Sequence, residues 1–310
     1  MTMLNRSARV LRAPASLLNV LRFITQHPLN KKRKGRALFG YLKWQIGSRL
    51  VPGPVAFNWI ADTRVLVHPG ESGMTQNIYC GLHDFEDMAY VLHVLGPQDL
   101  FIDIGANIGS YTVLACGVRG ARGYCFEPVP STYRRLLDNL SINNLSPRVV
   151  AMNIGLSNAD GNLSFTDNEK TENHVVSESE AGTQSVRIPV LKLDTVLAGE
   201  SPSMIKIDVE GFETAILDGA EKTLSNPSLH SVLIELNESG KRYGFDENGI
   251  LSKLMSFGFS PYEYEPFSRT LHPLPGKNPN HGNTLFLRNE SLIRERLASA
   301  PRISVGSSEI

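Results

Sequence analysis

Cysteine is scarce in this 310-residue chain, with Cys80, Cys116 and Cys125 at spacings that match neither a disulfide framework nor a metal-ligand pair. That excludes a disulfide-stapled or zinc-organised scaffold and implies a reducing, cytoplasmic setting with the three thiols in the core. Long apolar runs are missing too. Within the first fifty residues, the patches at 17–24 and 37–50 fall short of the roughly 20 residues needed to cross a bilayer. Lys43 and Arg49 also interrupt the second patch. No compact apolar core leads to a small-residue cleavage site, so a cleaved signal peptide is not expected. Acids are absent from the same fifty residues, which hold eleven Lys or Arg. The formal net charge of zero therefore conceals a basic head and an acidic body, the latter with 20 basic and 31 acidic side chains. A negative body without interleaved aromatic and basic residues speaks against nucleic acid as a partner. The head has two readings: an interfacial basic helix that touches anionic lipid or a membrane-bound partner, or a solvated tail followed by a helix packed on the body. An organelle transit peptide shares its composition.

What the chain does contain is ordinary globular composition, 41% hydrophobic and 20% charged. This suits one α/β domain over residues 51–290 with its core at 76–240, a basic helical and partly disordered extension at 1–50, and a polar tail at 291–310. The organising stretch is residues 100–112, Leu-Phe-Ile-Asp-Ile-Gly-Ala-Asn-Ile-Gly-Ser-Tyr-Thr. Its apolar start reads as a buried strand, Gly105 and Gly109 as a turn that lets backbone approach a ligand, and Ser110 onward as a helix. In an open parallel sheet, ligands sit just beyond the carboxyl ends of such strands. Glu127 ends the next apolar run, where an acid binds the hydroxyls of a ribose, so a nucleoside cofactor follows. The dinucleotide fingerprint G-x-G-x-x-G is not met. The order is Asp-x-Gly-x-Asn-x-Gly, with Asp103 before the first glycine and no third glycine in frame. A carboxylate there would repel a diphosphate and suits a positively charged cofactor. S-adenosylmethionine (SAM) carries sulfonium and ammonium groups, and the stretch resembles the first motif of class I SAM-dependent methyltransferases.

Elsewhere the pattern alternates. A short strand is expected at 64–68, a turn at 70–73, and an amphipathic helix at 84–95 with Phe85, Met88, Ala89, Leu92 and Leu95 at helical spacing. Helices at 111–118 and 131–144 separate strands at 100–103, 124–127 and 149–154, the first half of a doubly wound sheet. Residues 157–190 read as a β-hairpin-like insertion whose tip is mobile or forms part of a lid. Then come a short helix at 192–197, a strand at 204–208, a helix at 213–224, a strand at 231–235, a helix at 246–257 and strands at 259–264 and 283–287. The Pro- and Gly-rich segment 267–282 reads as a long loop, and the tail from Glu290 as a polar helix passing into Ser-rich disorder. The expected fold is a mostly parallel, seven-stranded Rossmann-like sheet with a β-hairpin insertion and a basic helical N-terminal extension.

Four strands end in an acid: Phe-Ile-Asp103, Cys-Phe-Glu127, Lys-Ile-Asp208 and Leu-Ile-Glu235. On a parallel sheet all four line the carboxyl edge, where they raise one another's pKa unless a cation lies among them. Lys206 is on the same side of its strand as Asp208 and is one source of that charge; the cofactor and a metal ion are others. Glu213 reads as a helix-start acid. The segment Ile205-Lys206-Ile207-Asp208-Val209-Glu210-Gly211-Phe212-Glu213, with the glycine stretch, Phe126-Glu127-Pro128, Leu193-Asp194-Thr195 and Leu217-Asp218-Gly219-Ala220, resembles the FkbM family of SAM-dependent methyltransferases. The resemblance covers roughly residues 76–240 and implies O-methylation of sugar or polyketide hydroxyls, with a glycan, a lipid-linked glycan or a secondary metabolite as acceptor.

Methyl transfer to a hydroxyl needs in-line alignment and a base within hydrogen-bond reach. Asp208 or Glu210 is the expected base, with Glu235, Glu238 and His281 as outside candidates. Asp103, Gly105, Asn107, Gly109 and Glu127 are expected to hold the cofactor. A metal-assisted variant would place Mg²⁺ on Asp208, Glu235 and a neighbour. The rivals are a nicotinamide oxidoreductase, which needs the missing glycine, and a non-catalytic cofactor-binding module tethered to a membrane by its head.

Overall fold

A computed structural model describes residues 13–51, 53–68, 72–167, 173–180 and 182–310. The first twelve residues of the basic head, residues 70 and 71 of the turn expected at 70–73 and part of the loop within 157–190 lie outside the described residues. Helices α1 (Ala13–Gln26) and α2 (Lys34–Leu50) precede a hairpin of β1 (Val55–Asn58) and β2 (Arg64–Val67). With α3 (Ser72–Cys80) they close over one apolar cluster containing Ile24, Trp44, Val65, Val67 and Met74. Among the described residues no helix is long and apolar enough to cross a membrane.

Helix α4 (Phe85–Val94) leads into β3 (Leu100–Ile104), buried along its whole length, as a strand covered on both faces must be. After the glycine turn, α5 (Ser110–Thr112) widens into a π-helical stretch, Val113–Val118. Then follow β4 (Arg122–Phe126), α6 (Pro130–Ile142) and β5 (Val149–Met152). The insertion is a separate three-stranded sheet of β6 (Gly155–Leu156), β7 (Gly161–Thr166) and β8 (Ser185–Leu191), with β7 and β8 forming the expected antiparallel pair. Next come α7 (Leu193–Val196), β9 (Met204–Ile207), α8 (Glu213–Asp218), α9 (Glu221–Ser225) and β10 (Ser231–Glu235). The chain continues through α10 (Glu247–Ser256), β11 (Ser260–Glu265), β12 (Thr270–Pro273), β13 (Asn283–Leu287) and α11 (Glu290–Ser299).

The main sheet has the order β12-β11-β13-β10-β9-β3-β4-β5. Strands β10, β9, β3, β4 and β5 run parallel, and β13, β11 and β12 are added antiparallel. One face is covered by residues of α4, the π-helical stretch, α6 and α11, the other by α7 to α10. The sheet is thus doubly wound and mostly parallel, as expected.

Four expectations are corrected. The sheet has eight strands among the described residues where seven were expected, because β12 forms inside the segment read as a loop at 267–282 and pairs with β11. As an edge strand it accommodates Pro273, which lacks an N–H for the ladder. The helix expected at 213–224 is broken between α8 and α9, where the backbone at Gly219 passes so close to Ser157 that a Cβ would stand 2.1 Å from its carbonyl oxygen. Ser72, read as part of a turn, already belongs to α3. The tail is ordered: β14 (Ser304–Val305) and β15 (Ser308–Glu309) pair around Gly306 and bury Val305 and Ile310. Serine content reads as disorder, but two apolar side chains and a left-handed glycine suffice for a clip.

Candidate active site

Because β10, β9, β3 and β4 are parallel neighbours, Glu235, Asp208, Asp103 and Glu127 converge on one sheet edge. A cavity of about 580 Å³ lies there, a size suited to a cofactor and part of a second molecule. Its floor is the glycine turn. Gly105 has φ +74°, and a Cβ on it would stand 1.8 Å from the backbone oxygen of Asp208, so only glycine fits. Gly109 opens α5 at φ +90°. Asn107, also left-handed at φ +51°, donates its N–H to Glu127 Oε2 at 3.0 Å, while the Val129 N–H reaches Oε1 at 2.9 Å. The carboxylate of Glu127 is thereby fixed in the cavity wall with lone pairs remaining for hydroxyls. Burial pushes its pKa up to about 7, against the pull of those two N–H donors.

Asp103 is not among the cavity-lining residues. It is 1% exposed beneath the floor, where Oδ2 accepts from Thr112 Oγ1 at 2.6 Å and Oδ1 has no hydrogen-bonding partner. Burial raises its pKa, and Lys206, its register partner on β9, works the other way. Lys206 Nζ donates to Asp208 Oδ2 at 2.9 Å and stands 4.8 Å from the centre of the Tyr111 ring. Burial opposes the lysine's charge, but Asp208 and Asp103 more than compensate and hold its pKa above the ordinary lysine value. Glu213 is buried and accepts N–H bonds from Val209 and Gly211; it closes the turn after β9, with its pKa lifted to about 7 by burial.

Asp208, Glu210 and Glu235 line the cavity together, and one carboxylate oxygen from each lies within 4.8 Å of the others. That spacing could hold a cation, and crowding has a cost without one. Glu235 is driven well above the usual carboxylate range by burial and then by the charges of Asp208, Glu210 and Glu213. Glu210 adopts φ +57°, a strained geometry of the kind found at functional sites. Two outside candidates lie elsewhere: Glu238 is exposed and paired with Lys241 and Lys277, and His281 lines a neighbouring cavity. Sequence reasoning missed His83, Asp84 and Tyr111. Tyr111 donates to Asp84 Oδ2 at 3.1 Å, and His83 Nε2 lies 3.0 Å from the same oxygen. The Gly-Leu-His-Asp run before α4 carries no motif, so only the fold could bring it to the cavity.

A glycine floor, an acid just past the end of β4 and an anion-rich mouth on a doubly wound sheet are the arrangement of the class I methyltransferase type. The Methyltransferase FkbM domain model matches residues 103–261, just over half of the chain, and the chain belongs to that family. Over 143 residues it is 30% identical to the hexuronic acid methyltransferase AglP of Haloferax volcanii, covering 45% of this chain and 56% of that protein. Over 172 residues it is 26% identical to the methyltransferase sdnD of Sordaria araneosa, covering 44% of this chain and 66% of that protein. The chain thus spans between half and two thirds of these curated relatives. The crystal structure of TYW2 from M. jannaschii in complex with AdoMet has a TM-score of 0.41 and 12% identity, covering 77% of this chain and 88% of that one, a likeness too distant to add to the assignment. The family matched is one of methyltransferases and not of nicotinamide oxidoreductases.

Proposed function

We propose that this chain transfers a methyl group from SAM to a hydroxyl of a sugar, a lipid-linked glycan or a polyketide-like metabolite. The observation that carries the reading is the convergence of Asp208, Glu210, Glu235 and Glu127 on a 580 Å³ cavity over a floor that excludes any Cβ at Gly105. These residues fit a cationic nucleoside. Glu127 would bind the ribose hydroxyls, the turn around Gly105 and Asn107 would let the cofactor approach the backbone, and Gly109 would open the helix beyond it. Asp103 and Lys206 would set the potential from beneath. SAM supplies an electrophilic methyl group on a sulfonium. The chain's own task is to align the acceptor oxygen and to take its proton as the new O–C bond forms. Asp208, anchored by Lys206, is the proposed base, with Glu210 as its alternate. The AglP relative's name favours a carbohydrate acceptor.

Asp208→Asn should abolish transfer of labelled methyl groups while leaving affinity for S-adenosylhomocysteine (SAH) within a few-fold. Unchanged turnover removes Asp208 from the role. Activity that survives EDTA removes Mg²⁺ from the three-carboxylate cluster.

The head supports a peripheral location on anionic lipid. Phe39, Leu42, Ile46 and Leu50 form one exposed stripe along α2, each more than half exposed. Lys31, Lys32, Arg33, Lys34, Arg36 and Lys43 are exposed beside it, without an acid.

A further inference from the structure

The corner of the molecule where the basic head meets the body carries two exposed aromatic rings and a cluster of cations. We propose that this corner docks on an anionic bilayer, with Phe23 and Phe267 entering the headgroup layer together, so that the active cavity opens beside the membrane. The docking rests on the peripheral reading of the head and adds to it a contact made by the body, which fixes the orientation.

The first observation is an aromatic ridge that ties head to body. Phe23, near the end of α1, is 37% exposed, and Phe267, in the turn between β11 and β12, is 53% exposed. The buried rings of His27 and Phe85 join them, with centroids 5.7 Å apart from Phe23 to His27, 6.0 Å from His27 to Phe85 and 5.1 Å from Phe85 to Phe267. The turn that displays Phe267 is ordered by one carboxylate: Glu265 accepts the N–H of Phe267 at 3.2 Å and the N–H of Ser268 at 2.6 Å. A phenyl ring held out in this way suits the boundary between headgroups and acyl chains. Leu17, Leu18 and Val20 extend the exposed apolar surface back along α1.

The second observation is the charge at the same corner. Arg22 precedes Phe23, and Lys31, Lys32, Arg33 and Lys34 begin four residues after His27; all five are exposed, and no acid comes before Asp62. The rest of the chain, from residue 51 on, holds 20 basic and 31 acidic side chains. An anionic surface therefore attracts the head and repels the body, and each base brought near it strengthens binding about fivefold. Charge alone turns this corner toward the lipid.

The ridge is rooted beside the active cavity. Phe85 directly follows His83 and Asp84, both of which line the 580 Å³ cavity, so rim and ridge share one stretch of chain at the start of α4. A molecule held through Phe23 and Phe267 brings that rim to the bilayer. Met255, 56% exposed on α10, lies across the sheet from α4 and is turned away from the lipid in this orientation.

The test uses the full chain with one added thiol carrying an environment-sensitive dye, from Phe23→Cys, Phe267→Cys or Met255→Cys; Cys80, Cys116 and Cys125 are buried and do not compete for the label. Vesicles of phosphatidylcholine and phosphatidylglycerol are prepared with and without a spin-labelled lipid. Emission from positions 23 and 267 should move to the blue and lose about half its intensity to the spin label, while position 255 stays as in buffer. Without a dye, Phe267→Ser should weaken vesicle binding about fivefold, with SAH affinity and thermal melting unchanged. Quenching at 23 but not at 267, equal quenching at 255, or a Phe267→Ser variant that binds like the wild type would overturn the docking and leave the peripheral reading of the head standing. No binding to these vesicles, or equal binding to phosphatidylcholine alone, would overturn both.

Discussion

Replacing Gly105 by alanine probes whether the cofactor floor depends on backbone touching backbone. Two penalties add. At φ +74° an L-residue is strained by about 1–2 kcal/mol. The new methyl carbon would also lie 1.8 Å from the oxygen and 2.9 Å from the carbonyl carbon of Asp208. Neither atom can rotate away, so the end of β9 or the turn after β3 must shift, at about 1–3 kcal/mol. Gly109 supplies the control. Its φ of +90° carries the same strain, but its Cβ would meet only the terminal Cδ1 of Leu136, at 2.6 Å, which can change rotamer. Gly105→Ala should therefore cost about 2–5 kcal/mol and Gly109→Ala about 1–2 kcal/mol. With roughly 2–4 °C of Tm per kcal/mol, the two variants separate in a thermal melt. Saturating SAH at about a hundred times its Kd should stabilise the wild type and Gly109→Ala by about 2.7 kcal/mol, and Gly105→Ala by much less, because the displaced Asp208 backbone enters the site. A Gly105→Ala protein that melts like the wild type, or that gains as much from SAH, refutes the reasoning.

Lys206→Met leaves Asp103 and Asp208 without their buried partner and should cost about 3 kcal/mol in chemical denaturation, the low end for a broken buried pair because Asp208 is partly solvated. Since the lysine's pKa is raised in the fold, the wild type keeps this contribution at all pH values below the ordinary lysine range and loses it only above; an equally stable variant would show that the acids neutralise one another instead. Glu127, raised to about 7, gives stability that is complete below the ordinary glutamate value and is lost as pH rises through 7. SAH binding should run the opposite way and tighten between pH 6 and 8 as the carboxylate ionises; Glu127→Gln should bind more weakly with a flat profile, and a wild-type profile in that variant would exclude Glu127. Flotation with vesicles containing anionic lipid should carry the protein up, fall with added salt, and drop on Phe39→Ser with Ile46→Ser, each nearby Lys or Arg being worth about 1 kcal/mol at such a surface; equal recovery with neutral vesicles would contradict the charge argument.

The parallel half of the sheet was legible because each of its strands is a short apolar run closed by an acid or a turn, a pattern that survives any packing. So was the convergence of Asp103, Glu127, Asp208 and Glu235, which follows from parallel topology alone. Depth was not legible. An alternating strand shows that Asp103 and Lys206 share a side of the sheet, but not that helix α5 covers Asp103 and hands it Thr112 instead of a ligand. His83, Asp84 and Asn283 reach the cavity from places far apart in the chain and without a motif, and only long-range packing joins them. Pro273 and the glycines around it masked β12, since local propensity counts against a strand whose partner is already in place.

The entry to α4 has a further consequence. It begins at Asp84 and continues into α4, whose Phe85, Met88, Val91 and Leu92 are each 2% exposed or less. Four such side chains hold Asp84 on the rim of the cavity, where it accepts from the Tyr111 hydroxyl. Trimming Met88 or Leu92 would therefore loosen that rim while leaving every side chain that lines the cavity unchanged.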